Sequence, residues 1–244
     1  MSPSGALYIV SVGIGDARDI TLRAIETLGK CDIIVCEEAK PARALMKYHH
    51  IEKPIILLNE HTRNTVEDEI LDELAAGKNI ALISDCGTPL IADPGDVLIK
   101  KCIEKNITIT PIPGASSILA ALVVSGFRLD QFSFIGFLPR EKSARARAAS
   151  ELKNRTETLV LLEAPYRLAQ ILDDLRLGIG SERKIAVCLD LTLAGERIYR
   201  GTVKSSVKYF EEHPFKGEFV IVLGPTQRPH RDRFVPRSPH KKHK

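Results

Sequence analysis

Three short segments hold the residues best suited to grip a polar small molecule. The first is Gly13-Ile14-Gly15-Asp16, where glycines let backbone N–H groups approach a bound ligand closely. A dinucleotide fingerprint needs a further small residue after this pair, and Arg18 stands there instead, so nicotinamide or flavin chemistry is not indicated. The second segment, Ser84-Asp85-Cys86-Gly87-Thr88-Pro89, continues through Ile91 to Asp93-Pro94-Gly95 and is dense in backbone donors. The third is Pro113-Gly114-Ala115-Ser116-Ser117, which opens an apolar helix whose free N–H groups suit a carboxylate or a sugar. Each is also compatible with a tight structural turn.

The surrounding pattern says where these segments sit. Short apolar runs at 7–12, 32–38, 54–59, 79–85 and 107–114 alternate with helix-period stretches at 19–28, 41–50, 65–77, 93–106 and 115–126. Such alternation predicts an α/β fold with a mostly parallel sheet covered by helices on both faces. The three segments follow strands one, four and five, and open α/β sheets bind ligands at those C-terminal strand ends. The second half has strands at 132–139, 158–164, 184–191, 196–203 and 217–224, with helices at 141–154, 165–178 and 204–213. Its last three strands share one short helix, which predicts antiparallel pairing in a separate mixed-sheet α/β domain. The expected organisation is an N-terminal domain over 1–127, a C-terminal domain over 128–227 and a basic flexible tail over 228–244.

With 44% hydrophobic and 27% charged residues in 244, intrinsic disorder of the whole chain is excluded. The formal charge of +4 is unevenly placed. Residues 228–244 carry seven Lys or Arg against one Asp, and residues 139–155 carry six against two Glu, so the rest of the chain is an acidic body of net −6. Five cysteines, with no CxxC pair and no histidine at zinc spacing, predict a reduced, metal-free protein. The uncharged run 107–127 is long enough to be mistaken for a membrane span, but Pro111, Pro113 and Gly114 divide it into strand, turn and buried helix. The N-terminus lacks the charged start and long apolar stretch of a secretory signal, so a cytoplasmic protein without membrane association is expected.

The wording GIGDARDIT, SDCGTPLIADPG and PIPGASSILAAL, followed by GFLPREK, TLVLLEAPYRL and KGEFVIVLG, resembles the tetrapyrrole methylase superfamily over residues 7–224. Within it the chain is most similar to the branch that 2′-O-methylates a cytidine of bacterial small-subunit ribosomal RNA. The resemblance implies a homodimeric methyltransferase of two α/β domains with S-adenosyl-L-methionine in the cleft between them. It implies cofactor contacts from Ile14, from Cys86, Gly87, Thr88 and Ile91, from Ser116 and Ser117, and from Glu163 and Leu191. The wider loops add Gly13, Gly15, Asp85 and Pro89.

A ribose 2′-hydroxyl is a poor nucleophile until its proton is taken, so an acceptor is needed. Glu38, after the second strand, and the pair Glu60-His61, after the third, rank ahead of Asp16 and Asp85. Arg140, Lys142, Arg145 and Arg147 begin the second domain and are expected to meet RNA phosphates, or else to form a solvated helix face. The chain departs from the branch's usual wording at SVGIGDA, at Glu37-Glu38-Ala39-Lys40 and at Leu58-Asn59-Glu60-His61-Thr62. These changes bear on the substrate more than on the methyl donor. A tetrapyrrole or other small-molecule methylase, and a non-catalytic RNA-binding assembly protein, are the alternative readings.

Overall fold

The structure is a computed structural model that describes residues 5–59 and 63–226. Its first sheet contains β1 (Ala6–Val10), β2 (Ile33–Cys36), β3 (Ile55–Leu57), β4 (Ile80–Ile83) and β5 (Thr108–Ile112) in the order β3-β2-β4-β1-β5. All its pairings are parallel. Every residue of β2 and β4 is buried, as expected for strands covered on both faces, and this is why they read as unbroken apolar runs. Helices α1 (Leu22–Lys30) and α2 (Ala39–Tyr48) cover one face through Ala24, Leu28, Ala42 and Met46. Helices α3 (Arg63–Ala75) and α4 (Asp96–Glu104) cover the other through Ile70, Leu74, Leu98 and Cys102.

The second sheet holds β6 (Phe132–Gly136), β7 (Thr158–Leu162), β8 (Lys184–Leu189), β9 (Arg197–Thr202) and β10 (Phe219–Leu223) in the order β6-β7-β10-β8-β9. Only β6 and β7 are parallel; the three late strands pair antiparallel, as the scarcity of helix between them predicts. Helices α6 (Lys142–Glu151), α7 (Leu168–Ile179) and α8 (Val203–Glu212) pack on one face. The opposite face is covered by α5 (Ser117–Ser125), the helix that follows the last strand of the first sheet. Ile118, Ala121 and Leu122 of α5 form one core with Val160, Ala186, Cys188, Val220 and Val222 of the second sheet. Arg200 adds a hydrogen bond to the Val124 carbonyl (3.1 Å from Nε). Helix α5 thus joins the two sheets, and the space between them has fixed walls.

The run 107–127 becomes β5, the Pro113-Gly114 turn and the nine-residue α5. Among the described residues no helix is long and apolar enough to cross a membrane, and no cluster of three His, Cys, Asp or Glu could hold a metal ion.

Candidate active site

The strands stop earlier than the apolar runs suggest, because the last residues of those runs enter a hydrogen-bonded assembly of loops. The Val12 N–H donates to the Gly87 carbonyl (2.8 Å), and the Gly87 N–H donates to the Gly13 carbonyl (3.0 Å). The Cys86 thiol donates to the Ile14 carbonyl (3.2 Å). The Thr88 hydroxyl accepts from Ser11 (3.1 Å) and donates to the Ala115 carbonyl (3.1 Å), which ties the second loop to the first and third. The Asp16 N–H donates to Thr192 Oγ1 (2.9 Å), fastening the first loop to the segment after β8. Each such bond contributes about 0.5–1.5 kcal/mol net, so the loops hold one another in place through the chain's own groups.

Two glycines are needed for this closeness. Gly87 lies at φ 77°, and a Cβ there would come within 3.2 Å of Ile14 Cγ2. A Cβ on Gly15 would come within 2.7 Å of the Leu191 carbonyl oxygen and 2.9 Å of Leu193 Cγ, at the point where the two sheets' loops meet. The second loop then carries Leu90 at φ 71° and Ala92 at φ 69°. Left-handed backbone costs a non-glycine residue about 1–2 kcal/mol. Packing of Leu90 against the α3/α4 core offsets this strain, which serves to present Ile91, Ala92 and Asp93.

These loops and the second sheet enclose a cleft of about 860 Å³ including its open mouth. Ile14, Cys86, Gly87, Thr88, Ile91, Ser116, Ser117, Glu163 and Leu191 all line it. Gly13, Gly15, Asp85 and Pro89 are not in its lining; they shape the loops from behind. The sequence reading included Asp93 in the second segment without giving it a role and did not single out Phe137 or Glu218, which face the cleft with it. All three belong to the quoted DPG, GFLPREK and KGEFVIVLG motifs, but only the fold shows which side chain of each motif points inward.

The cleft is acidic. Desolvation raises the Asp93 carboxyl to about 6, helped by the charges of Glu37 and Asp85. Desolvation also raises Glu218, with Asp190 nearby, and raises Glu163 in spite of its backbone hydrogen bond and neighbouring arginines. Glu163 is 4% exposed. Its Oε1 accepts from the Ala164 N–H (2.8 Å) and pairs with Arg167 Nη1 (2.8 Å), while Oε2 has no partner among the described residues. A buried carboxylate oxygen left without a donor is costly. A ligand hydroxyl or amine would satisfy it.

The proton-acceptor candidates fare unequally. Asp16 is held down to about 2 by its hydrogen bonds and ion pair with Arg18, so it is a poor base near neutral pH. Glu38 caps α2 at the surface, its N–H donating to Asp85 Oδ1 (3.2 Å), and neither carboxylate lines the cleft. Glu60 and His61 lie outside the described residues, as does the basic tail. Among the basic candidates, Arg140, Lys142 and Arg147 are exposed. Arg145 corrects the sequence expectation: it is 1% exposed, with Nε 2.5 Å from Asp174 Oδ2 and Nη1 donating to the Arg140 carbonyl (2.8 Å). On α6 it shares the inward face with Ala149, four residues on, so it pins α6 to α7 rather than meeting phosphate.

Residues 6–206 match the family model described as tetrapyrrole (corrin/porphyrin) methylases. Among curated relatives, the ribosomal RNA small subunit methyltransferase I of Synechocystis sp. is 41% identical, the alignment covering 92% of this chain and 82% of that protein. Its namesake in Halalkalibacterium halodurans is 39% identical over 90% of this chain and 75% of that one. The fold is shared with solved structures of a uroporphyrin-III-C-methyltransferase from Thermus thermophilus (TM-score 0.63, 19% identity, covering 90% and 94% of the two chains) and a cobalt precorrin-4 methyltransferase (TM-score 0.66, 18% identity, 90% and 94%). Motifs, fold and relatives agree: the chain belongs to the tetrapyrrole (corrin/porphyrin) methylase family and is a methyltransferase.

Proposed function

We propose that this methyltransferase uses S-adenosyl-L-methionine to methylate a ribose 2′-oxygen of small-subunit ribosomal RNA, with a cytidine as the target. The observation that carries the donor is the buried, unpartnered Glu163 Oε2 in an acidic, partly apolar cleft. The cofactor's hydroxyl and amino groups can donate to that oxygen, and its sulfonium suits the carboxylates Asp93, Glu163 and Glu218. Ile14, Ile91 and Leu191 offer apolar surface, and Ser116 and Ser117 offer the N-terminal turn of α5. Bound there, S-adenosyl-L-methionine supplies an electrophilic methyl group.

The protein's own contribution is position and proton transfer. The hydrogen-bonded loops hold two reactants at a fixed separation, which removes much of the entropic part of the barrier. Asp93 is the carboxylate placed to accept the 2′-hydroxyl proton, because the strained second loop presents it to the cleft and its affinity for a proton is raised toward neutrality. Arg140, Lys142 and Arg147 follow cleft-lining Phe137 and suit RNA phosphates. The names of the relatives support the ribosomal substrate.

On this reading the partner is ribosomal RNA or the small subunit, in the cytoplasm, with domains over 1–127 and 128–227. A homodimer is supported by an exposed apolar groove that includes Leu119 of α5 and Phe132 and Phe134 of edge strand β6, a contiguous surface suited to a second copy. The decisive test maps 2′-O-methylation of small-subunit ribosomal RNA in cells with and without the gene. An unchanged map rejects the substrate, and absence of S-adenosyl-L-methionine binding in calorimetry rejects the catalytic reading.

A further inference from the structure

Helix α2 has the sequence AKPARALMKY and contains no acidic residue. Its buried side is Ala42 and Met46, four apart, which turns Lys40, Arg43 and Lys47 outward at i, i+3 and i+7. They therefore share one exposed face and span about 10 Å along the helix axis. A groove beside this face is lined by Arg43, Lys47, His50 and Lys53, with Glu52 the one carboxylate in its wall. Segment 39–54 carries four Lys or Arg against Glu52 alone, a net of +3 within a body that is otherwise acidic.

Four other helices each pair at least one of their cations. Lys30 of α1 pairs with Glu26, Lys101 of α4 with Glu67 and Asp68, Arg176 of α7 with Asp173, and Lys208 of α8 with Glu212. No ion pair among the described residues neutralises Lys40, Arg43, Lys47 or Lys53. Like charges three and four apart destabilise a helix by a few tenths of a kcal/mol per pair, a small cost offset in part where Lys47 occupies the last turn.

The helix is also fastened at both ends to loops that carry cleft-lining residues. At its start the Glu38 N–H donates to Asp85 Oδ1 (3.2 Å), next to cleft-lining Cys86. At its end His49 Nε2 donates to the Ala17 carbonyl (3.0 Å), three residues beyond cleft-lining Ile14. The helix thus starts beside one cleft-bearing loop and ends against another, which joins its exposed face to the rim of the cleft.

We infer that the exposed face of α2, with Lys40, Arg43 and Lys47, together with Lys53 in the adjoining groove, is a second phosphate-binding surface that tracks single-stranded RNA leading into or out of the cleft. The inference rests on the ribosomal RNA reading of the cleft. It gives the RNA a path across the first sheet's helices, whereas Arg140, Lys142 and Arg147 grip it from the second sheet's side.

The test measures binding of a short fluorescent single-stranded RNA across a range of salt concentrations. It compares the full-length protein, a variant with Lys40, Arg43, Lys47 and Lys53 all changed to Gln, and one with Arg140, Lys142 and Arg147 changed to Gln. Single-stranded RNA loses about 0.7 of a unit in the log–log salt slope per phosphate contact removed, so the α2 variant should lose up to about 3 units. Calorimetric S-adenosyl-L-methionine affinity should stay at the parent value, which shows the fold intact. A slope change below about 0.7 in the α2 variant, with a clear loss in the other, overturns this inference and leaves the RNA reading standing. If the parent binds the cofactor but no RNA, both fall. Tighter binding of an acidic polypeptide than of RNA, abolished in the α2 variant, also overturns it, since the face would then belong to a protein partner.

Discussion

Replacing Arg145 by Ala tests the division of labour on α6. In the folded protein Arg145 Nε lies 2.5 Å from Asp174 Oδ2, and Nη1 donates to the Arg140 carbonyl at 2.8 Å. The side chain is 2% exposed and Asp174 is 12% exposed, so solvent cannot replace the lost donors well. Removing one partner of a buried pair costs about 3–5 kcal/mol, chiefly because the other charge is left unpaired. For a chain of this length each kcal/mol moves the melting temperature by about 2–4 °C, so Arg145→Ala should melt roughly 6–20 °C lower. Arg147→Ala, at an exposed position two residues on, should melt within about 2 °C of the parent and lose about 0.7 of a unit of RNA salt slope. The assay is differential scanning calorimetry paired with RNA titration. A double variant, Arg145→Met with Asp174→Leu, should recover much of the stability, because apolar replacement of a buried pair is often neutral. The reasoning is refuted if Arg145→Ala melts with the parent and loses RNA binding as Arg147→Ala does.

Other consequences concern the cleft. Asp93→Asn should lower kcat by about 10²–10⁴, a larger effect than any loss of cofactor affinity from removing one of the cleft's carboxylates, and should abolish an acidic limb of the parent pH–rate profile centred at about 6; a parent limb near the ordinary carboxylate value would contradict this. Because the folded-state value lies above the ordinary 3.8, the stability that Asp93 contributes is complete below that pH and lost as pH rises through about 6. Asp93→Asn should accordingly gain stability relative to the parent above pH 6, as chemical denaturation would show. Glu163→Gln puts an amide NH2, which cannot accept, where Oε2 would accept from the cofactor, and should weaken S-adenosyl-L-methionine binding by about 1.5–3 kcal/mol in calorimetry. Gly87→Ala meets both a φ of 77° and Ile14 Cγ2 at 3.2 Å; a stability loss of about 1–2 kcal/mol accompanied by weaker cofactor binding is expected, and full retention of both would show the loop to be less constrained than drawn.

Much of this protein was legible before folding. Apolar runs separated by helix-period segments gave the parallel first sheet, because a strand buried on both faces must be apolar throughout, as β2 and β4 are. The scarcity of helix among the last three strands gave their antiparallel pairing, since parallel strands need a long crossover. The glycine-bearing loops at strand ends gave the cleft, and the quoted motifs gave its family.

What a linear reading could not decide is direction. Arg145 and Arg147 look alike in sequence, but helical rotation puts one against Asp174 and the other in solvent. Asp93, Phe137 and Glu218 sit inside recognised motifs, yet their entry into the cleft depends on a strained loop and on strands brought together from distant parts of the chain. The residues of α5 read as part of the first domain, and only packing shows that they bind the second sheet and so fix the width of the site. Spacing along the chain sets which residues share a face; which face is buried depends on long-range contacts that no local pattern encodes.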